Sequence, residues 1–157
     1  MKNRRIKPLV LIAALAILLS SCGRHRELQL AMFDGEDKVL MAADSFSYKN
    51  HKVATESDSD SAVYNGSFGL FTGAETLWDS LKIPVPGEVT LSGSAKIESG
   101  AFKLILVSEN GVETFYNADD GEDFSLTADL SIGRWRIKAV GREAEGSFTI
   151  SATEPIF

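Results

Sequence analysis

An all-β fold, an antiparallel β-sandwich of about seven to nine strands with jelly-roll or immunoglobulin-like connections, is the class that this 157-residue sequence predicts. Three observations carry the expectation. From Glu88 to Glu98 the chain alternates without exception: Val89, Leu91, Gly93, Ala95 and Ile97 fall on one side, Glu88, Thr90, Ser92, Ser94, Lys96 and Glu98 on the other. A period of two belongs to a strand with one buried and one wet face. Turn signals recur roughly every eight to twelve residues from Ala62 onward, the spacing of a small sandwich. No helical heptad and no internal repeat interrupts the pattern.

The first expected element is a signal helix. Lys2, Arg4, Arg5 and Lys7 precede an unbroken apolar run from Leu9 to Leu19. Eleven apolar residues at ~1.5 Å each make roughly 16 Å of helix, against a hydrocarbon core of ~30 Å. The run therefore reads as a secretory signal and not as a permanent span. It closes on Leu19-Ser20-Ser21-Cys22, which resembles the lipobox of bacterial lipoproteins. That resemblance covers the first 22 residues. It implies removal of residues 1–21, a diacylglyceryl thioether on Cys22, and further acylation such as palmitate on the new amino terminus. The implied location is the bacterial cell envelope, anchored to the membrane by lipid and facing outside the cytoplasm. Two or three acyl chains hold firmly, at about 0.8 kcal/mol per buried methylene, where one holds marginally. Cys22 is the only cysteine, so no disulfide forms within the chain.

Residues 22–35 are then expected to be a lipidated N-terminus and tether, and residues 36–157 the sandwich. A short strand is expected at Lys38–Ala42 and another at Phe46–Val53. The small, acidic stretch Thr55–Ser61 reads as an exposed loop. Strands follow at Tyr64–Thr72 and Thr76–Ile83. The two prolines of Ile83-Pro84-Val85-Pro86-Gly87 suit a stiff crossover and exclude a central strand. After the alternating strand, Ser99-Gly100 is expected to turn the chain. Ala101–Ser108 then carries Phe102, Leu104 and Leu106 on one side and Ile105 and Val107 on the other. Apolar residues on both faces place it in the middle of a sheet. Asn110-Gly111 signals a hairpin into Val112–Tyr116. The acidic loop Asn117–Asp123 leads to the alternating strand Phe124–Leu130. Arg134–Val140, a turn at Gly141–Gly146 and Ser147–Ser151 complete the set. The segment Leu130–Gly141 is similar to the glycine-preceded aromatic strand of many extracellular sandwich modules, which bears on architecture alone.

Charge narrows the function. The first 21 residues hold four of the 16 basic side chains and none of the 22 acids, so the remainder carries 12 against 22, a formal charge of −10. Such a chain repels nucleic-acid phosphates, and no nucleic-acid partner is expected. Anionic lipid headgroups repel it as well, leaving the acyl chains on Cys22 as the membrane contact. Catalytic patterns are missing. The only histidines are His25, near the proposed anchor, and His51, and no Gly-x-Ser-x-Gly elbow stands elsewhere to partner His51. Two histidines so placed do not make a transition-metal site. Asn117, Asp119, Asp120, Glu122 and Asp123 crowd one loop but miss the calcium-loop spacing, with Gly121 where an oxygen ligand belongs. The expectation is thus a non-enzyme with no metal and no cofactor.

Two sets of residues remain as candidate contacts. Arg134, Arg136 and Lys138 alternate with Trp135, Ile137 and Ala139, and Arg142 lies nearby, giving a cationic ridge that suits an acidic glycan or an acidic partner protein. A solvated strand face that discourages edge pairing is the competing and favoured reading of the ridge. Tyr64, Trp78 and Tyr116 stack sugar rings if they are exposed, and their exposure decides the matter. The leading function is a lipid-anchored, non-catalytic binding or accessory module at the cell surface, with a glycan or an envelope protein as partner. A structural subunit of an envelope assembly is the alternative, and a hydrolase ranks third.

Overall fold

The computed structural model describes residues 23–58, 61–80 and 86–153. The signal segment, Cys22 and most of the Pro84–Pro86 crossover lie outside the described residues. Two short helices come first, α1 over residues 23–31 and α2 over Asp37–Ala42. Six strands follow: β1 (Ser45–Asp58), β2 (Ser61–Asp79), β3 (Gly87–Val107), β4 (Val112–Asn117), β5 (Asp123–Leu130) and β6 (Arg136–Thr153), with one 3-10 turn at Ala118–Asp120. Every pairing is antiparallel, in the order β1-β2-β6-β3-β4, and β5 pairs with the first half of β3. The fold is all-β, and its sheet does not close into a barrel.

The strands are fewer than expected because three of them are very long. Ser99-Gly100 does not reverse the chain. The alternating strand and the apolar strand after it are two halves of β3, and both pair with β6. Likewise β2 unites the two strands expected between Tyr64 and Ile83, and β6 runs straight through the expected turn at Gly141–Gly146. What look like turns in the sequence are bulges. Asn50 of β1, Leu70 of β2, Glu143 of β6 and Gly100 of β3 adopt left-handed backbone, with φ of 54°, 52°, 51° and 76°. Each falls where the ladder slips register, so the four bulges line up across adjacent strands. A bulge bends its strand. A row of them creases the sheet into two leaves. At Gly100 a Cβ would stand 2.2 Å from the carbonyl oxygen of Glu143, so the crossing is open only to glycine.

The first leaf holds residues 52–58, 61–68, 145–153, 87–97 and β5. The second holds residues 45–49, 71–79, 136–142, 101–107 and β4. Their inner faces share one core. Phe102 of the second leaf meets Phe68 and Phe148 of the first, with ring centroids 5.0 and 5.6 Å apart. The Tyr116 hydroxyl donates to the carbonyls of Ala95 (3.3 Å) and Gly121 (3.1 Å), joining β4 to the opposite leaf.

Ile105 and Val107 face the other way, and the structure supplies their cover. Leu40 and Ala43 close over Ile105, Val107, Ala74 and Val140, with Met32, Phe33 and Met41 around them. The stretch Lys38–Ala42 is thus a helical lid on the second leaf and not a strand; five residues are too few for a period to separate the two. Nor is the segment after Cys22 a free tether. Gln29 of α1 is buried, donates to Ser45 Oγ (3.3 Å) and accepts from Ser47 Oγ (3.2 Å). Arg26 pairs with Glu143 at 2.6 Å. The hairpin after β3 forms where Asn110-Gly111 predicts it, with Ser108 N bonded to the Gly111 carbonyl at 2.9 Å. The acidic stretch at Thr55–Ser61 is less of a loop than expected, since β1 runs to Asp58 and β2 starts at Ser61.

Candidate binding face

The expected cationic ridge is dispersed by pairing and burial. Arg134 precedes β6 and grips Asp79 through its Nε (2.9 Å) and its terminal nitrogen, which raises its pKa further. Arg142 bonds Asp34 at 2.5 Å and lies over the Phe33 ring. Arg136 is half-buried at the start of β6. Lys138 is fully buried beneath α2, where its ammonium donates to the carbonyls of Leu40 (3.2 Å), Met41 (3.3 Å) and Ala43 (2.5 Å). It meets the free carbonyls at the end of a helix, which attract a cation. These four residues do not form one surface, because even-numbered positions of early β6 face the helical lid and not solvent.

The aromatic candidates are core residues. Tyr64, Trp78 and Tyr116 are 8, 7 and 3% exposed and belong to the cluster between the leaves. Burial raises the phenol pKa of Tyr64 and Tyr116. Trp135 stands ahead of β6 and is only half-buried, its indole N–H donating to the Ser131 carbonyl at 2.9 Å. His51 stacks flat on Tyr48 (3.9 Å between centroids, 8°), whose hydroxyl is bound to Glu75. Burial, and after it the hydrogen bond to Glu75, raises the Tyr48 pKa well above the ordinary phenol value. Among the described residues no three His, Cys, Asp or Glu side chains converge as a metal site would require.

A different surface draws polar groups together. On the outer side of the first leaf, register sets side chains in rows across the strands. One row runs Lys52, Ser67, Ser147, Lys96 over β1, β2, β6 and β3. The next runs Ala54, Asn65, Thr149, Ser94, Asp123 and ends on β5. Beyond it Ser92 stands between Ser151 and Ser125, and Thr90 meets Thr127 with hydroxyls 3.1 Å apart. The opposite side of the same strands carries Tyr64, Phe68, Leu91, Ala95, Phe148 and Ile150 into the core. Alternation therefore builds one dry and one hydroxyl-covered surface from the same backbone.

This surface is concave. An open depression of about 780 Å³ lies over it, walled by His51, Lys52 and Lys96 and floored by Asn65, Ser67, Ser94, Ser147 and Thr149. Its shape follows from side-chain size: the floor is made of residues with one to three heavy atoms beyond Cβ, and the lysines stand at its ends. Three strand spacings of ~4.8 Å separate Lys52 from Lys96, roughly 14 Å between their Cα atoms. Neither lysine makes an ion pair with a described residue. The Thr149 hydroxyl donates to the Asn65 carbonyl oxygen at 2.8 Å, which fixes the amide with its N–H groups available. Phe148 crosses under Gly66, where a Cβ would stand 2.4 Å from its ring, so the backbone of the floor packs directly on the core.

Half of this site was visible as Thr90, Ser92, Ser94 and Lys96 on the wet side of one strand. The other half, Asn65, Ser67, Ser147 and Thr149, needed the pairing of β2 with β6, which no local pattern reveals. Comparison of the chain with models of known protein families and with curated proteins finds no match to either.

Proposed function

We propose that this chain is a lipid-anchored, non-catalytic binding module of the bacterial envelope, holding its ligand on the hydroxyl-covered face of the first leaf. The depression over that face is the observation that carries the reading. It gathers hydroxyls, a fixed amide and two cations that make no ion pair with a described residue, on the strands of one sheet, a setting in which polar recognition costs little entropy. Among the described residues the exposed large apolar side chains, Leu28, Val39, Phe46, Leu70 and Ile132, are spread over four elements and the connection between β5 and β6.

Ser147 sits at the centre of the floor, between Ser67 and Lys96. Ser147→Trp keeps a good strand former on an outward position and fills the depression. The full chain, extracted from membranes in mild detergent, is expected to retain at least one fraction of soluble envelope polysaccharide or protein. The tryptophan variant is expected to lose that retention with an unchanged melting temperature. Equal retention by both proteins, or none by either, would reject the face as the binding site.

Anchoring is tested separately. Cys22→Ala is expected to abolish incorporation of labelled palmitate and to move the protein from the detergent phase to the aqueous phase. Because the chain is already helical at residue 23, the first described, and α1 packs on β1, an anchor on Cys22 would hold the domain close to the bilayer with almost no spacer. Undiminished lipid label in the alanine variant would overturn the anchor.

A further inference from the structure

We infer that the ligand of the hydroxyl-covered face is an acidic glycan, an oligosaccharide bearing carboxylate or sulfate groups, laid across the strands from Lys52 to Lys96. The inference rests on the binding-module reading above and adds the chemical class.

Three features select that class. First, the aromatic side chains of these strands, Tyr64, Phe68 and Phe148, belong to the core, with Phe148 only 6% exposed beneath the floor, and the His51 ring on the wall is already stacked flat on Tyr48. Neutral sugars are commonly held by stacking on broad exposed aromatic faces, and the floor itself presents none. Hydroxyl and amide groups remain, matched to sugar hydroxyls as both donors and acceptors. Second, the two lysines flank the floor at opposite ends, too far apart for one small anion to touch both. They suit a ligand that repeats its negative charge along its length. On one side of the lysine row the only described acid of the next row is Asp123 at its far end, and on the other Glu98 and Glu145 stand toward the crease. Third, the strands of the floor are already paired on both sides, β2 with β1 and β6, and β6 with β2 and β3. A peptide adding itself as a strand needs a free edge; β1 is the outermost strand of the order, and a peptide added there would lie beside Lys52 and not across the floor. A saccharide, with hydroxyls along its whole length, matches the hydroxyls and amide of the floor better than an acidic peptide does.

The chain carries a net charge of −6, so an anion gains nothing from long-range steering. Attraction is confined to the few ångströms around the lysines, inside the screening length of physiological salt. Binding by this face should therefore depend on contact with these two side chains and not on overall charge.

The test uses full-length protein extracted in a nonionic detergent and titrated with oligogalacturonate, its methyl ester, a sulfated dextran oligosaccharide and polyglutamate. Binding of either charged oligosaccharide is expected, and the stronger of the two identifies the anion. Lys52→Ala combined with Lys96→Ala should weaken that binding by about ten-fold. Lys38→Ala removes a cation from α2 and should change nothing. The methyl ester should bind about ten-fold more weakly than the acid. Equal affinity for the ester and the acid would overturn the inference, as would equal losses in the two lysine variants. Polyglutamate bound as tightly as the glycans would assign the face to acidic peptides instead. Should no charged oligosaccharide bind while Ser147→Trp still abolishes retention of a neutral fraction, the acidic-glycan inference fails and the binding module stands. Should Ser147→Trp also leave every retention unchanged, both fail together.

Discussion

Phe102→Ala is expected to destabilise the fold by about 3–5 kcal/mol, the range for truncating a fully buried phenylalanine. The ring has no solvent exposure and lies two residues past Gly100, just beyond the crease. It contacts Phe68 and Phe148 across the core and Phe71 and Tyr116 on its own leaf, with centroids 5.0 to 6.3 Å apart. The surrounding rings are held in place, Phe71 and Phe148 by Phe68 and Tyr116 by Phe124 and its hydroxyl bonds, so they fill the space poorly. A domain of this size is stable by about 5–15 kcal/mol, so the variant would fold but sit near its limit. Denaturant titration followed by the fluorescence of buried Trp78 reads the change. A loss below about 1 kcal/mol would mean that the leaves are not closed around this ring, and the two-leaf description would fail. The binding face would suffer too, since its strands are curved by the same crease.

How much of this was legible in the sequence follows from which patterns are local. The alternation from Glu88 to Glu98 placed Val89, Leu91 and Ala95 in the core, and all three are buried. The doubly apolar run at Phe102–Val107 correctly announced a strand covered on both sides. Its second cover was not legible, because α2 is one and a half turns long and its residues suit either helix or strand. Bulges were misread as turns for a physical reason. Ser99-Gly100 and Gly141–Gly146 have the composition of reversals, and a glycine with positive φ serves a bulge as well as a hairpin. Only the partner strand distinguishes them. Leu70 and Glu143 gave no sign at all, since left-handed backbone in such residues costs energy and is imposed by the surrounding sheet.

The same dependence on pairing explains why the expected cationic surface was wrong and the observed polar one was missed. Alternation correctly separates Arg134, Arg136 and Lys138 from Ile137 and Ala139. It does not say whether the side away from the main core is wet. On the second leaf that side is roofed by α1 and α2, and on the first leaf it is open. One strand, β6, carries both cases: Lys138 before the crease is sealed, and Ser147 and Thr149 beyond it form the floor of the depression. The crease thus divides structural from recognitional use of the same outer face.

The roof depends on that sealed lysine. Lys138→Met should cost about 2–3 kcal/mol, since three carbonyls near the end of α2 lose a charged donor, partly offset by relief of the buried ammonium. Loss of the bonds would release α2 before the sheet unfolds, and amide exchange in residues 37–43 should quicken more than exchange in β3 or β6. A pH dependence accompanies the clamp. Burial lowers the Lys138 pKa from 10.5 to about 8, with Arg136 and then Arg134 acting in the same direction and Asp44 and Asp79 opposing. Between those values the unfolded chain holds a proton that the folded chain has released. The unfolded state therefore binds more protons, and stability rises with pH from about 8. Burial lowers Lys103 as well, and this contributes a smaller rise present in both proteins. Near pH 10 the trend reverses, because Tyr48, Tyr64 and Tyr116 keep in the folded state protons that the unfolded chain gives up. The methionine variant should lack the Lys138 part of the rise between pH 8 and 10 while sharing the fall above it. Identical pH profiles for the two proteins would show that Lys138 keeps its proton throughout, and that the carbonyls at the helix end outweigh its burial.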